Sequence, residues 1–121
     1  MPSADRRPDS FLPLKPDAFH ILLVLLDAEW HGYAIMREAS ERSGGAVQLQ
    51  AGALYRQLRR MLDDGLVVES QRRAASDADD ERRRYYRITA LGGRVVAAEI
   101  RRLQTLVTSP AVRAVVRKWA T

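Results

Sequence analysis

No cysteine occurs anywhere in the 121 residues, which removes a disulfide framework, a thiolate metal site and a cysteine nucleophile together. The cytoplasm is the compartment that such a chain suits. Long hydrophobic runs are also missing. The most apolar stretch, Ala18 to Leu26, is interrupted by His20 and falls far short of the roughly 20 residues a helix needs to cross a bilayer, so no membrane partner is expected. The first fifteen residues mix Asp5, Arg6, Arg7 and Asp9 with three prolines and lack the basic-then-apolar order of a secretion signal. Residues 1–14 read as a flexible N-terminal arm. Histidine is scarce: His20 lies in an apolar helix and His31 at a helix start, and neither has a partner at the spacing that acid-base chemistry or a metal requires. His20 is expected in a core or interface, and His31 as support for its helix start. The carboxylates Asp77, Asp79, Asp80 and Glu81 superficially resemble a calcium loop, but the run has no glycine at the sixth position and no glutamate at the twelfth. An enzyme, a metal site and a cofactor are all disfavoured.

What is present is an ordinary soluble composition, 46% hydrophobic and 29% charged, with a net charge of +5. This length gives one domain with one core, and the positive balance favours a polyanionic partner. Only Lys15 and Lys118 of the 20 basic residues are lysine, so the positions of the arginines carry more information than their number.

Pro16 and Asp17 suit the first turn of a helix over about 16–28. That helix is apolar nearly all round and must be covered on most sides. A second, amphipathic helix is expected over His31–Ser43, ending at Gly44 and Gly45. Val47 to Gln50 alternates apolar and polar residues, enough for a very short strand or an extended linker. From Ala51 to Asp64, Leu54, Leu58, Met61 and Leu62 form one buried stripe, and Gly65 ends that helix. Leu66–Arg73 and Arg83–Thr89 read as the strands of a hairpin around a polar loop, Ala74–Arg82. Period two puts Tyr86 and Ile88 on its core face, with Tyr85 and Arg87 on the other. A long helix from Leu91 carries Val96, Ile100, Leu103 and Val107 at the seam spacing of a helix that packs against another helix. Ser109 and Pro110 then open a last helix, with Val112, Val115, Val116 and Trp119 on one stripe.

That order describes a mainly α fold with a small β-hairpin: a winged helix-turn-helix over residues 15–90, followed by C-terminal dimerisation helices over 91–121. The outer face of the third helix sharpens the reading. Opposite its apolar stripe stand Gly52, Arg56, Arg59 and Arg60. A helix entering the major groove needs small residues near its start, here Gly52 and Ala53, and long forked donors that reach phosphates or guanine edges. Arg72, Arg73, Arg82, Arg83 and Arg84 flank the hairpin loop, where strand pairing would gather them for phosphate contacts. The acidic loop between them should keep the wing beside the duplex rather than deep in a groove.

The segments His31-Gly32-Tyr33-Ala34-Ile35 with Arg37-Glu38, Gly52-Ala53-Leu54-Tyr55 with Leu58, Asp63-Asp64-Gly65-Leu66-Val67, and Asp80 to Thr89 resemble the PadR family of transcriptional regulators. The resemblance covers about residues 12–107 and implies a homodimeric winged-helix repressor on an inverted-repeat DNA operator. It places Gly52, Ala53, Tyr55 and Arg56 at the DNA-facing start of the recognition helix, and has Tyr33, Tyr86 and Ile88 holding core and wing together. Where the family usually has Ser or Thr before the helix, Thr before the Leu-Tyr pair and Pro after it, this chain has Gln50, Ala53 and Arg56. Gln50 is a poorer cap by about 1 kcal/mol, while Arg56 adds a charge-assisted contact. The short tail resembles the smaller subfamily, whose long helix packs across the partner's first helix. Phe19, Leu22 and Leu26, with Val96, Ile100, Leu103 and Val107, are then the expected dimer contacts. Some relatives release DNA on meeting small aromatic compounds, and Trp30 or Trp119 are the candidates to line such an effector pocket. A rival reading is a winged-helix interaction module whose basic face meets an acidic protein partner.

Overall fold

The computed structural model describes residues 6–73 and 84–120, the side chains of residues 71–73 excepted. Its elements follow the expected order with one short strand added, β1: α1 (Pro16–Asp27), β1 (Trp30–His31), α2 (Gly32–Arg42), α3 (Ala51–Asp63), β2 (Val67–Arg73), β3 (Arg84–Ile88), α4 (Ala90–Val107) and α5 (Pro110–Trp119). Val47–Gln50 is a linker rather than a strand, with Val47 and Leu49 buried.

Local chemistry explains most boundaries. His31 caps α2, its Nδ1 accepting from the Ala34 amide at 3.2 Å, so its role is the structural one expected. His20 is half-buried on α1, with Nδ1 3.0 Å from the Pro16 carbonyl oxygen. Gln50 precedes α3 without a side-chain cap bond, as a glutamine there should. Gly65, at φ +79°, ends α3, and the Leu66 amide reaches back to the Met61 carbonyl at 2.9 Å, satisfying an orphan acceptor of the last turn. Ser109 caps α5 by accepting from the Val112 amide.

The hairpin is part of a three-stranded antiparallel sheet in the order β1-β3-β2. Val67 pairs with Ile88 and Glu69 with Tyr86, while Trp30 and His31 add a third strand against Tyr86 and Tyr85. Tyr86 is buried, Ile88 packs against the core and Arg87 is exposed, so the alternation holds. One core runs through the chain. Ile21, Leu22, Val24 and Leu25 of α1 meet Ile35 and Ala39 of α2, Leu54, Leu58 and Met61 of α3, and Val95 and Val96 of α4.

Two expectations change here. Residues 6–14, read as flexible arm, lie against the body: Pro8–Phe11 forms a 3-10 turn, and Phe11, Leu12 and Leu14 pack on the core. Arg6 pairs with Asp64 at the end of α3 at 3.0 Å and lies 4.0 Å over the Phe11 ring. Residues 1–5 lie outside the described residues. Tyr33 is no core residue but 61% exposed at the start of α2. No described helix is long and apolar enough to cross a membrane.

Candidate nucleic-acid interface

The helix expected to read DNA is α3, and both of its flanks are held. On one side Tyr55 reaches the first turn of α2. A Cβ built on Gly32 would stand 2.5 Å from the Tyr55 hydroxyl oxygen, so Gly32 is the residue that lets the tyrosine lie there. Tyr55 is half-buried, and it anchors the helix rather than standing free on its outer face. On the other side, Gln57, Arg60, Met61 and Asp64 face the N-terminal segment and the start of α1 across a cleft that includes Phe11, Leu14 and Lys15.

Between the flanks lies the outer face. Gly52, Arg56, Arg59 and Arg60 are exposed and Ala53 is half-buried. Arg56 bends back toward the helix start, its Nη1 3.4 Å from where a Gly52 Cβ would be. None of the three arginines forms an ion pair among the described residues. A convex helix with small residues at its start and exposed guanidinium groups along one face has the shape and charge that the major groove accepts.

Of the arginines that flank the hairpin loop, Arg84 alone has a described side chain. Arg73 pairs with Arg84 across the sheet, which places the two arginines at one edge. The Arg84 guanidinium, however, lies 3.6 Å from the Glu69 carboxylate. The Arg72 and Arg73 side chains, Arg82, Arg83 and the acidic loop lie outside the described residues. Tyr33 sits in an open groove with Met36, Arg37, Ser40, Gln48 and Leu49, on the α2 side of the recognition helix. Its exposure is visible in the fold alone, because an aromatic in an amphipathic helix reads as core from sequence.

The expected dimer contacts divide by burial. Leu22 (0% exposed) and Val96 (2%) are covered by the chain's own core and have nothing left to offer a partner. Phe19 and Leu103 are half-buried. Leu26 (47%), Ile100 (37%) and Val107 (57%) stand open. The two tryptophans also part company. Trp30 lies on β1 against the core, its Nε1 buried with no hydrogen-bond partner among the described residues. Trp119 is 70% exposed near the end of α5, with the Lys118 ammonium 5.2 Å from its ring centre.

Sequence reasoning missed Glu99. It is the one buried charged residue described, set in α4 beneath the N-terminal segment. It accepts from Arg102 at 2.6 and 3.0 Å and from the Leu14 amide at 3.1 Å. The Arg102 hydrogen bonds hold its carboxyl below the usual range, burial opposes them, and the Leu14 amide reinforces them. A Glu in an amphipathic helix carries no signal that a distant arm will cover it.

Comparison with known proteins follows the same lines. Residues 21–98 match the model of a family described as the transcriptional regulator PadR-like family. Among solved structures, RosR of H. salinarum in a complex is 27% identical, with a TM-score of 0.66 over 93% of this chain and 91% of that one. A PadR family regulator from Clostridium difficile is 19% identical, with a TM-score of 0.64 over 88% of this chain and all of its own. Bacillus subtilis PadR in complex with operator DNA is 19% identical, with a TM-score of 0.62 over 73% of this chain and 47% of that one. These similarities fix the architecture as a winged helix. No curated protein sequence matches the chain.

Proposed function

The chain belongs to the PadR-like family of transcriptional regulators, a family of regulators rather than enzymes, and from that premise we propose that it binds an inverted-repeat operator as a homodimer and represses transcription there. The observation that carries the reading is the outer face of α3, where Arg56, Arg59 and Arg60 stand exposed beyond Gly52 and Ala53. Arg56, nearest the helix start, is the residue assigned to base edges, with Arg59 and Arg60 beside it. Gln50 borders the same face, and Arg72, Arg73 and Arg82–Arg84 supply phosphate contacts from the wing.

Dimerisation follows from what one copy can do. A single three-turn helix reads few base pairs, whereas two helices about 34 Å apart read successive faces of the major groove and combine their binding energies. The open residues Leu26, Ile100 and Val107 support a two-fold contact between α1 and α4. For an aromatic effector, Trp30 is the stronger candidate of the two tryptophans, because its N–H is buried without a partner among the described residues.

The test is fluorescence anisotropy on DNA taken from immediately upstream of the coding region, against unrelated competitor duplex at two salt concentrations. Competitor-resistant binding with second-order dependence on protein is the expected result, and Arg56→Ala should weaken it without unfolding the protein. Weak binding that unrelated DNA abolishes would transfer the basic face to an acidic protein partner.

A further inference from the structure

An open cleft of about 340 Å³ separates the outer edge of α3 from the beginning of α1, lined by Lys15, Asp17, Ala53, Arg56, Gln57 and Arg60. Three cations from two separate elements face it with one carboxylate. None of the four charged groups forms an ion pair among the described residues, so the cleft carries a net positive charge that the described chain leaves unanswered. We propose that Lys15, together with Arg60, holds a DNA backbone phosphate at the edge of the recognition-helix footprint, beside the base-reading Arg56, and that Asp17 limits how tightly it does so.

The inference rests on the DNA-binding reading and adds to it a residue outside the helix-turn-helix and the wing. Lys15 is exposed, and its ammonium forms no ion pair or side-chain hydrogen bond among the described residues. A compact ammonium on a flexible stem suits a phosphate, which needs charge rather than a planar fork. The cleft also continues the arginine face, since Arg56 and Arg60 belong to both. Being an open trough, it fits a strand passing along it better than a small anion that must be enclosed. Asp17 opposes a phosphate in the same space and sets an upper limit to the contact.

The prediction is tested with Lys15→Gln, Lys15→Arg and Asp17→Asn on two duplexes, the upstream fragment and a scrambled duplex of equal length, titrated at several salt concentrations. A phosphate contact is blind to sequence. Lys15→Gln should therefore weaken both duplexes alike, about fivefold, and lower the slope of log K against log salt by about one. Lys15→Arg should retain affinity and slope, and Asp17→Asn should tighten both duplexes. Circular dichroism confirms that each variant is folded. Unchanged affinity and slope in Lys15→Gln, or a loss confined to the upstream fragment, would overturn the assignment. If wild type binds neither duplex, the DNA-binding reading fails and this inference fails with it.

Discussion

Gly92 and Gly93 stand side by side in the first turn of α4, and replacing each with alanine should move stability in opposite directions. A Cβ on Gly92 would fall on the Leu66 carbonyl oxygen, closer than real side chains approach, and 2.7 Å from Cγ1 of Ile88; a Cβ on Gly93 meets nothing within 4 Å. Both substitutions gain the same helix propensity, about 1 kcal/mol. For Gly93→Ala that gain stands alone, because the new methyl has room. For Gly92→Ala it is outweighed by overpacking, which costs about 1–3 kcal/mol in a tight site and more when the obstacle is backbone. The Leu66 carbonyl cannot step aside, since it accepts from the Thr89 amide at 3.0 Å. With a backbone obstacle placing the cost at the upper end of that range, the net loss is about 2 kcal/mol, which lowers Tm by about 6–12 °C in a domain of this size. The pair should thus separate by well over 5 °C in thermal denaturation at matched protein concentration. Equal shifts, or a stabilised Gly92→Ala, would refute the reasoning that close approach of α4 to the β2 start requires glycine.

Gly32→Ala should cost about 1–3 kcal/mol by driving Cβ into Tyr55, and in a Tyr55→Ala background that extra cost should vanish; additive effects in denaturant melts would count against a direct contact. Glu99→Gln should lower stability at neutral pH and flatten its acid dependence. The folded carboxyl titrates below its ordinary value, so its contribution is complete above the unfolded pKa of about 4.3 and disappears as pH falls through the folded value. The Tm gap between wild type and variant should narrow as pH falls below about 4.3 and close once the pH has passed the lower folded value; a gap independent of pH would remove the charge from the explanation. Ile100→Asp, on an exposed position of α4, should leave the circular dichroism intact and convert a dimer to monomer in sedimentation, and a persistent dimer would move the interface elsewhere.

The helices were legible because each carries its own instructions. The Leu54/Leu58/Met61 stripe, the Ser109-Pro110 start and the αL glycine at 65 all act within a few residues, and so does the alternation that buries Tyr86. What the sequence hid depends on distant partners. Trp30 and His31 are too short a run to read as a strand, and become one only because β3 offers an edge. Phe11, Leu12 and Leu14 follow no helical or strand period in a proline-bearing, charged segment, so an arm was the natural reading of 1–14; their burial follows from the face that α1, α3 and α4 leave uncovered. The same geometry explains the divided dimer set. The apolar surround of α1 looks like surplus for a partner, but α2, α4 and β3 cover most of it, taking Leu22 and leaving Leu26.

One consequence of this packing concerns how the proposed dimer would space its two recognition helices. Thr89 ties the start of α4 to the base of the wing: its hydroxyl donates to the Gly65 carbonyl at 2.7 Å and accepts from the Gly92 amide at 3.0 Å. Gly65 is the residue that ends α3. At the other end of the same region Glu99 fastens α4 to Leu14, one residue before Lys15 and α1, while Arg6 fastens the N-terminal segment to Asp64 at the end of α3. The C-terminal end of α3 is therefore joined to α4 by two routes, one through the Thr89 junction and one through the N-terminal segment. In a dimer built on α4, a rotation of that helix would carry the recognition helix with it instead of being absorbed in a hinge between them.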